Sequence, residues 1–169
     1  MTHEEYQAAA NHWIEKDAAS KKMPTDQLWA AMEEYIQANN TCALATGSGS
    51  FIRCTPIEYA WHDGAFWIFS EGGRKFVGLE GNQNVCLAIY DRYDGFGKLK
   101  GLQVSGMAEI VEPFSAEYVH AAEWKKIPVD ALKKLPFTMN LIKILPKEFD
   151  FLNSALKEEG YDSRQHYVR

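Results

Sequence analysis

Three short segments carry side chains that could hold an anionic ligand. The first is Gly72-Gly73-Arg74-Lys75, inside Ser70-Glu-Gly-Gly-Arg-Lys-Phe76. Two glycines let a backbone turn tightly and approach a ligand closely. A helix starting just after them would aim its free N–H groups and positive dipole end at the same spot. Arg74 adds a forked donor and Lys75 a point charge. Such a set suits a phosphate dianion, although an Arg-Lys pair taken alone is most often a solvated surface pair. The second segment is Arg53-Cys54-Thr55-Pro56. An Arg within an apolar alternating strand is costly unless paired or bound, and the plain alternative is a rim Arg facing a carboxylate. Pro56 cannot donate to a ladder, which places its strand at an edge or a bulge. The third is Gln103 in Gly101-Leu-Gln-Val-Ser-Gly106, where a lone Gln is most often surface.

Other chemistries find no template. Gly47-Ser48-Gly49 lacks the Lys and helix of a P-loop, and no G-x-G-x-x-G opens a βαβ unit. There is no G-x-S-x-G. His3, His12, His62, His120 and His166 are scattered, so no metal site is expected. No acid/base pair or nucleophile stands out, and the catalytic residues stay unassigned.

Composition bounds the rest. A chain of 169 residues suits one domain, 1–169. The net charge is −5 and no Lys/Arg run exceeds two residues, so no basic stripe marks a nucleic-acid binder. Cys42, Cys54 and Cys86 form no C-x-x-C, and each sits in a strand-like run. They read as reduced thiols of a cytoplasmic protein. Met1-Thr-His-Glu-Glu5 lacks the features of a signal peptide, and no apolar run approaches the roughly 20 residues of a membrane span.

The elements that must position these residues follow from the hydrophobic period. Residues 1–40 read as a helical extension. Glu4–Ala19 carries the stripe Tyr6, Ala9, Ala10, Trp13, Ile14, and a second helix from Thr25 to Ala38 carries Leu28, Met32, Tyr35 and Ile36. The period then switches to 2. Strands are expected at Thr41–Thr46, Phe51–Trp61 and Ala65–Ser70, the last two joined by the turn His62-Asp63-Gly64. A short helix over Arg74–Glu80 follows, then strands Val85–Tyr90 and Leu99–Val111. Ser115–Lys126 and Val129–Leu135 read as helices. Phe137–Leu145 is ambiguous, Lys147–Ser154 reads as a last strand, and 155–169 as a polar tail, mobile or exchanged with a partner. Hairpins with single inserted helices argue for a mainly β fold, an antiparallel barrel with peripheral helices, with the barrel spanning 41–154.

The order of these motifs carries a resemblance. Phe66-Trp-Ile-Phe-Ser70, Gly72-Gly-Arg-Lys75, a short helix, Asn82-Gln-Asn-Val-Cys-Leu-Ala-Ile-Tyr90 and Gln103-Val-Ser-Gly-Met-Ala108 together resemble the pyridoxamine 5'-phosphate oxidase-like, FMN-binding split-barrel superfamily. The resemblance covers roughly Thr41–Pro113. It implies a split β-barrel that binds FMN through Arg53, Thr55 and Pro56 on the second strand, Phe69 and Ser70 at the end of the third, Arg74 and Lys75 at the helix start, and Gln103 on the long later strand. It also implies a homodimer with flavin at the subunit interface, where Gln103 serves the partner's flavin, and NAD(P)H as a possible reductant. The oxidases proper carry a Trp on the last strand and an Arg-x-His shortly after it. This chain has Phe149-Asp-Phe151 there, and Arg164-Gln-His166 lies well beyond. The implied function is therefore a flavin-dependent oxidoreductase of the stand-alone, nitroimidazole-reductase-like branch. The alternative is a non-catalytic module for flavin, deazaflavin or haem, with His62 or His120 as haem ligand.

Overall fold

The computed structural model describes all 169 residues. Helices α1 (His3–Ala18) and α2 (Thr25–Ala38) precede the strands β1 (Thr41–Ser48), β2 (Phe51–Glu58), β3 (Ala60–His62) and β4 (Ala65–Ser70). Helix α3 (Lys75–Gly81) leads to β5 (Asn84–Tyr90) and β6 (Lys100–Val111). Helices α4 (Ala116–Trp124) and α5 (Val129–Lys133) then precede β7 (Asn140–Asn153) and β8 (Arg164–Val168). Every strand pair is antiparallel, in the order β2-β1-β5-β6-β7-β4-β3. The sheet curls into the split barrel expected from the sequence, with helices at its periphery.

Strand β7 is the axis of the fold. One edge pairs with β6 along its whole length. The other edge is shared: residues 140–144 pair with β4, and residues 148–152 pair with β8. This corrects two expectations. The stretch read as ambiguous and the stretch read as a last strand are one strand. The polar tail is not outside the barrel either, because its Arg164–Val168 segment is a strand of the sheet. Gln165 is fully buried there and accepts from Met23 N–H (3.0 Å) while donating to the carbonyls of Lys21 (3.2 Å) and Asp162 (2.7 Å). That network ties the C-terminus to the α1–α2 linker.

The main core lies inside the curl and is closed by α2. Met32 and Ile36 have no exposed surface and meet Leu44, Leu87, Val104, Phe149 and Phe151 from the strands. Each such side chain contributes about 1.5–3 kcal/mol by burial. Two phenols fix the helix: Tyr59 donates to the Ile36 carbonyl (2.7 Å) and Tyr35 to Asp91 Oδ1 (2.8 Å). A smaller core lies on the opposite face of β4 and β7, where Trp67, Val111 and Leu141 pack beneath α4 and α5. Helix α1 differs from expectation. Its apolar stripe is not buried: Tyr6, Trp13 and Ile14 are all exposed.

Local signals explain the joints. Asp63 and Gly64 both have positive φ (49° and 71°), the backbone of a two-residue hairpin between β3 and β4. The expected Phe51–Trp61 strand breaks at Tyr59 into β2 and β3, and Pro56 lies on β2, at the sheet's edge. Ser115 caps α4 through the Tyr118 N–H.

Candidate functional site

The candidate site is built where β4 ends, the chain turns at two glycines, and α3 begins. Gly72 and Gly73 have φ of 142° and 102°, which L side chains rarely adopt. Buried Ser70 closes this turn: its Oγ donates to the Gly72 carbonyl and accepts from the Gly72 N–H, both at 3.2 Å. The ring of Phe69 turns away and packs edge-on against Tyr118 (5.6 Å) in the smaller core. Only its backbone can serve the turn.

Lys75 follows. It is buried, with 6% relative exposure, and its Nζ donates to the Gly72 carbonyl. No carboxylate pairs with it. Burial pulls its pKa below the ordinary lysine value. A buried cation without a counter-anion is costly, and an anionic ligand would relieve that cost. Arg74 is exposed, and its guanidinium lies 5.3 Å from the Phe51 ring centre, which brings the start of α3 to β2. Arg53 lies two residues along the same face of β2, exposed and without an ion pair. The rim pairing that sequence allowed for it does not form.

Glycine also sets the position of α3. A Cβ on Gly78 would stand 2.8 Å from the Gly47 nitrogen and 3.0 Å from the Thr46 carbonyl carbon. The helix can press onto β1 only because that Cβ is missing. Beneath it lie two hydroxyls that sequence reading had separated. Thr46 pairs with Arg53 across β1 and β2, and Thr55 pairs with Leu44. Oγ1 of Thr46 and of Thr55 are both buried and have no hydrogen-bond partner. Buried polar groups are nearly always satisfied, so these two hydroxyls, on the face of β1 and β2 that α3 covers, are exceptions that a polar ligand could satisfy. Thr55 was expected in the site. Thr46 was not, and no motif announces it.

Alternation divides the remaining expected residues. Arg53 and Thr55 share the face on which α3 packs. Pro56 points to the other, outer face, and so does Gln103, exposed between Ala88 of β5 and Asp150 of β7. Gln103 is also three strands from β2, about 14 Å at ~4.8 Å per strand. The structure therefore brings together Ser70, Arg74 and Lys75, sets Arg53 and Thr55 on the same face of β2 as Phe51, which Arg74 reaches, and keeps Gln103 apart. Around Gln103 the outer face carries small side chains at Ala43, Ala45, Cys54, Cys86 and Ser105. An open groove of about 450 Å³ crosses it, lined by Ala45, Ile52, Asn84, Cys86, Ser105 and Lys147 among others. Ile52 points to this outer face, opposite to its neighbours Phe51 and Arg53.

Two histidine constellations were also missed. His166 on β8 sits opposite Asp150 on β7, with Nδ1 3.1 Å from Asp150 Oδ1. Strand pairing makes neighbours of residues that looked too far apart. Arg164, two residues earlier, stacks its guanidinium 4.2 Å from the Trp13 ring centre, and Trp13, Asp150, Arg164 and His166 line one cavity of about 320 Å³. The second joins His62, Asp63 and His120.

Comparison with known proteins agrees with the fold. Residues 28–153 match the family model for pyridoxamine 5'-phosphate oxidase. No curated protein matches the sequence. Among solved structures, the haem storage protein HutZ of Vibrio cholerae is 19% identical with a TM-score of 0.56, covering 70% of this chain and 89% of its own. An FAD-binding protein of Mesorhizobium loti is 19% identical with a TM-score of 0.57, covering 71% and 90%. A haem-binding protein of Mycobacterium smegmatis is 16% identical with a TM-score of 0.60, covering 87% of this chain and 59% of its own. These likenesses are of fold. No helix is long and apolar enough to cross a membrane.

Proposed function

The chain belongs to the pyridoxamine 5'-phosphate oxidase family, and on that premise we propose that it binds FMN and acts as a flavin-dependent oxidoreductase on a small organic molecule. One observation carries the reading: Lys75 is a buried, unpaired cation beneath a two-glycine turn. The site fits a flavin phosphate. Lys75, Arg74 and Arg53 would hold the phosphate, with Ser70 shaping the turn and the Phe69 backbone lining it. The orphaned hydroxyls of Thr46 and Thr55 offer donors to the ligand. When bound, the flavin supplies the hydride and electron chemistry, and this chain supplies binding, orientation and electrostatics. Gln103 and Pro56 lie on the outer face. We assign that face, with its small side chains, to a second copy of the chain, so that Gln103 meets the partner's flavin. NADH or NADPH is the reductant we propose. Without a Trp on β7 beside Phe149-Asp-Phe151, the substrate differs from that of the oxidases proper.

Haem is the second reading, favoured by His166. A carboxylate on Nδ1 fixes the ring and raises the basicity of Nε2, the arrangement that supports a metal-ligating histidine. Arg164 beside it could pair with a propionate, and two structurally similar proteins are haem proteins by name. The visible spectrum of the purified protein, alone and after adding FMN or haem, separates the readings. Flavin bands bleached by NADPH support the oxidoreductase. A Soret band lost in His166→Ala supports haem. A colourless protein that takes up neither overturns both.

A further inference from the structure

We propose that His62, Asp63 and His120 form a binding site for a late first-row divalent cation such as Ni²⁺ or Zn²⁺. Two imidazoles and a carboxylate are the donor set such ions favour. The three residues come from two elements that the fold presses together. His62 and Asp63 stand at the β3–β4 hairpin, and His120 stands on α4. One ligand atom from each lies within 4.8 Å of the others. An ion about 2.1 Å from each donor would draw them to roughly 3.4 Å apart. Asp63 and His120 are exposed, so their side chains can close that gap by rotation.

The surroundings favour a ligand over an incidental pair. The His62 ring stacks on Trp124 at 4.5 Å and 25°, one turn of α4 beyond His120. The His62 carbonyl accepts from Trp67 Nε1 at 2.9 Å. One imidazole is thus held on both its ring and its backbone. His62 Nε2 and Asp63 Oδ2 already lie 3.4 Å apart. The positive φ of Asp63 fixes the hairpin from which its carboxylate projects. The Gly64 carbonyl accepts from Arg169 and is therefore taken, which leaves the remaining coordination positions to water. The ion would clip the hairpin to α4 over the smaller core. The site is separate from the phosphate site, at the far end of β4 from Ser70, about 17 Å away at ~3.3 Å per residue.

Chelator-stripped full-length protein titrated with Ni²⁺ in a calorimeter tests this, with thermal unfolding in parallel. One ion per chain is expected, together with a rise in Tm as the ion binds the folded state. His120→Ala should weaken binding at least about tenfold, the loss that even a supporting residue causes, and should remove the rise in Tm. His120 is exposed, so this variant keeps its fold. His166→Ala and Lys75→Met should bind Ni²⁺ as the unchanged protein does, which separates the site from the haem and flavin readings. Absence of saturable binding, or unchanged affinity in His120→Ala, would overturn the proposal and leave His62 and Asp63 as a local ion pair.

Discussion

Lys75 donates from its buried ammonium to the carbonyl of Gly72, three residues back, and this contact replaces the carboxylate that a buried lysine normally requires. The turn thereby stores a positive charge at low solvation. That cost shows as a lowered lysine pKa caused by burial. It has a consequence for pH. Between the folded and the ordinary lysine pKa the unfolded chain holds more protons, so stability rises with pH through that window. Below the folded pKa the full cost of burying the charge is present. Buried phenols and thiols whose pKa burial raises, Tyr35, Tyr59, Tyr118, Cys42 and Cys86, pull stability the other way at alkaline pH. Urea melts of the ligand-free protein and its Lys75→Met variant over a series of alkaline pH values should therefore differ by the lysine's contribution, the unchanged chain losing less stability than the variant as pH rises. Identical pH profiles would show that Lys75 contributes none of it.

Replacing Gly78 by Ala should press α3 off β1, because the new Cβ meets backbone 2.8–3.0 Å away. Overpacking of this kind costs about 1–3 kcal/mol. Melting followed by circular dichroism should show Tm lowered by roughly 2–4 °C for each kcal/mol, and FMN should bind more weakly to the displaced helix. A variant with unchanged Tm would mean that the contact relaxes freely.

Gln165→Leu tests whether the C-terminal strand belongs to the cooperative fold. The substitution leaves the Met23 N–H without its acceptor and two carbonyls without a donor. A buried group left unpaired costs about 1–3 kcal/mol. The urea midpoint should fall accordingly. If β8 frayed independently, the midpoint would not move.

The thiols should react in the order of their exposure. Cys54 is exposed, Cys86 is half-buried with its pKa raised by burial, and Cys42 is buried with its thiol pushed up to about 12. A disulfide reagent near neutral pH should modify Cys54 quickly, Cys86 slowly, and Cys42 only on unfolding. Cys54 faces outward beside Ala45, so the proposed dimer should protect it at high protein concentration. A Cys54 rate independent of concentration would argue against that face as the interface.

Much of the fold was legible because its signals are local. The change of period at Thr41, the Asp63-Gly64 turn and the proline on an edge strand all act through nearby backbone. Strand β7 was not legible, for a physical reason. Pro146 reads as a breaker, yet the register shifts between Ser105 and Gly106 opposite it, and this irregularity lets the strand run through. Strand β8 was hidden because only one of its residues, Gln165, is buried, and that residue is polar. The α1 stripe misled because amphipathic spacing does not guarantee a partner surface.

The candidate site divides in the same way. Gly72, Gly73, Arg74 and Lys75 are contiguous, so the sequence could propose them. It could not show that Lys75 is buried and Arg74 exposed, since that depends on how α3 lies on β1. The Thr46 hydroxyl, the Asp150–His166 pair and the His62–Asp63–His120 cluster arise from strand pairing and helix packing between distant segments, for which spacing carries no signal.

An FMN titration of the ligand-free protein against its Lys75→Met variant tests whether Lys75 anchors the phosphate of a flavin. Met matches the length of the buried stem and removes the ammonium, and with it both the charge and the hydrogen bond to the Gly72 carbonyl. A charge-assisted hydrogen bond contributes about 1.5–3 kcal/mol, so FMN should bind the unchanged chain, with Kd raised roughly tenfold to over a hundredfold in the variant. Riboflavin, which lacks the phosphate, should bind the two proteins alike. Equal FMN affinity in both, or no FMN binding by the unchanged chain, would mean that Lys75 does not hold a flavin phosphate.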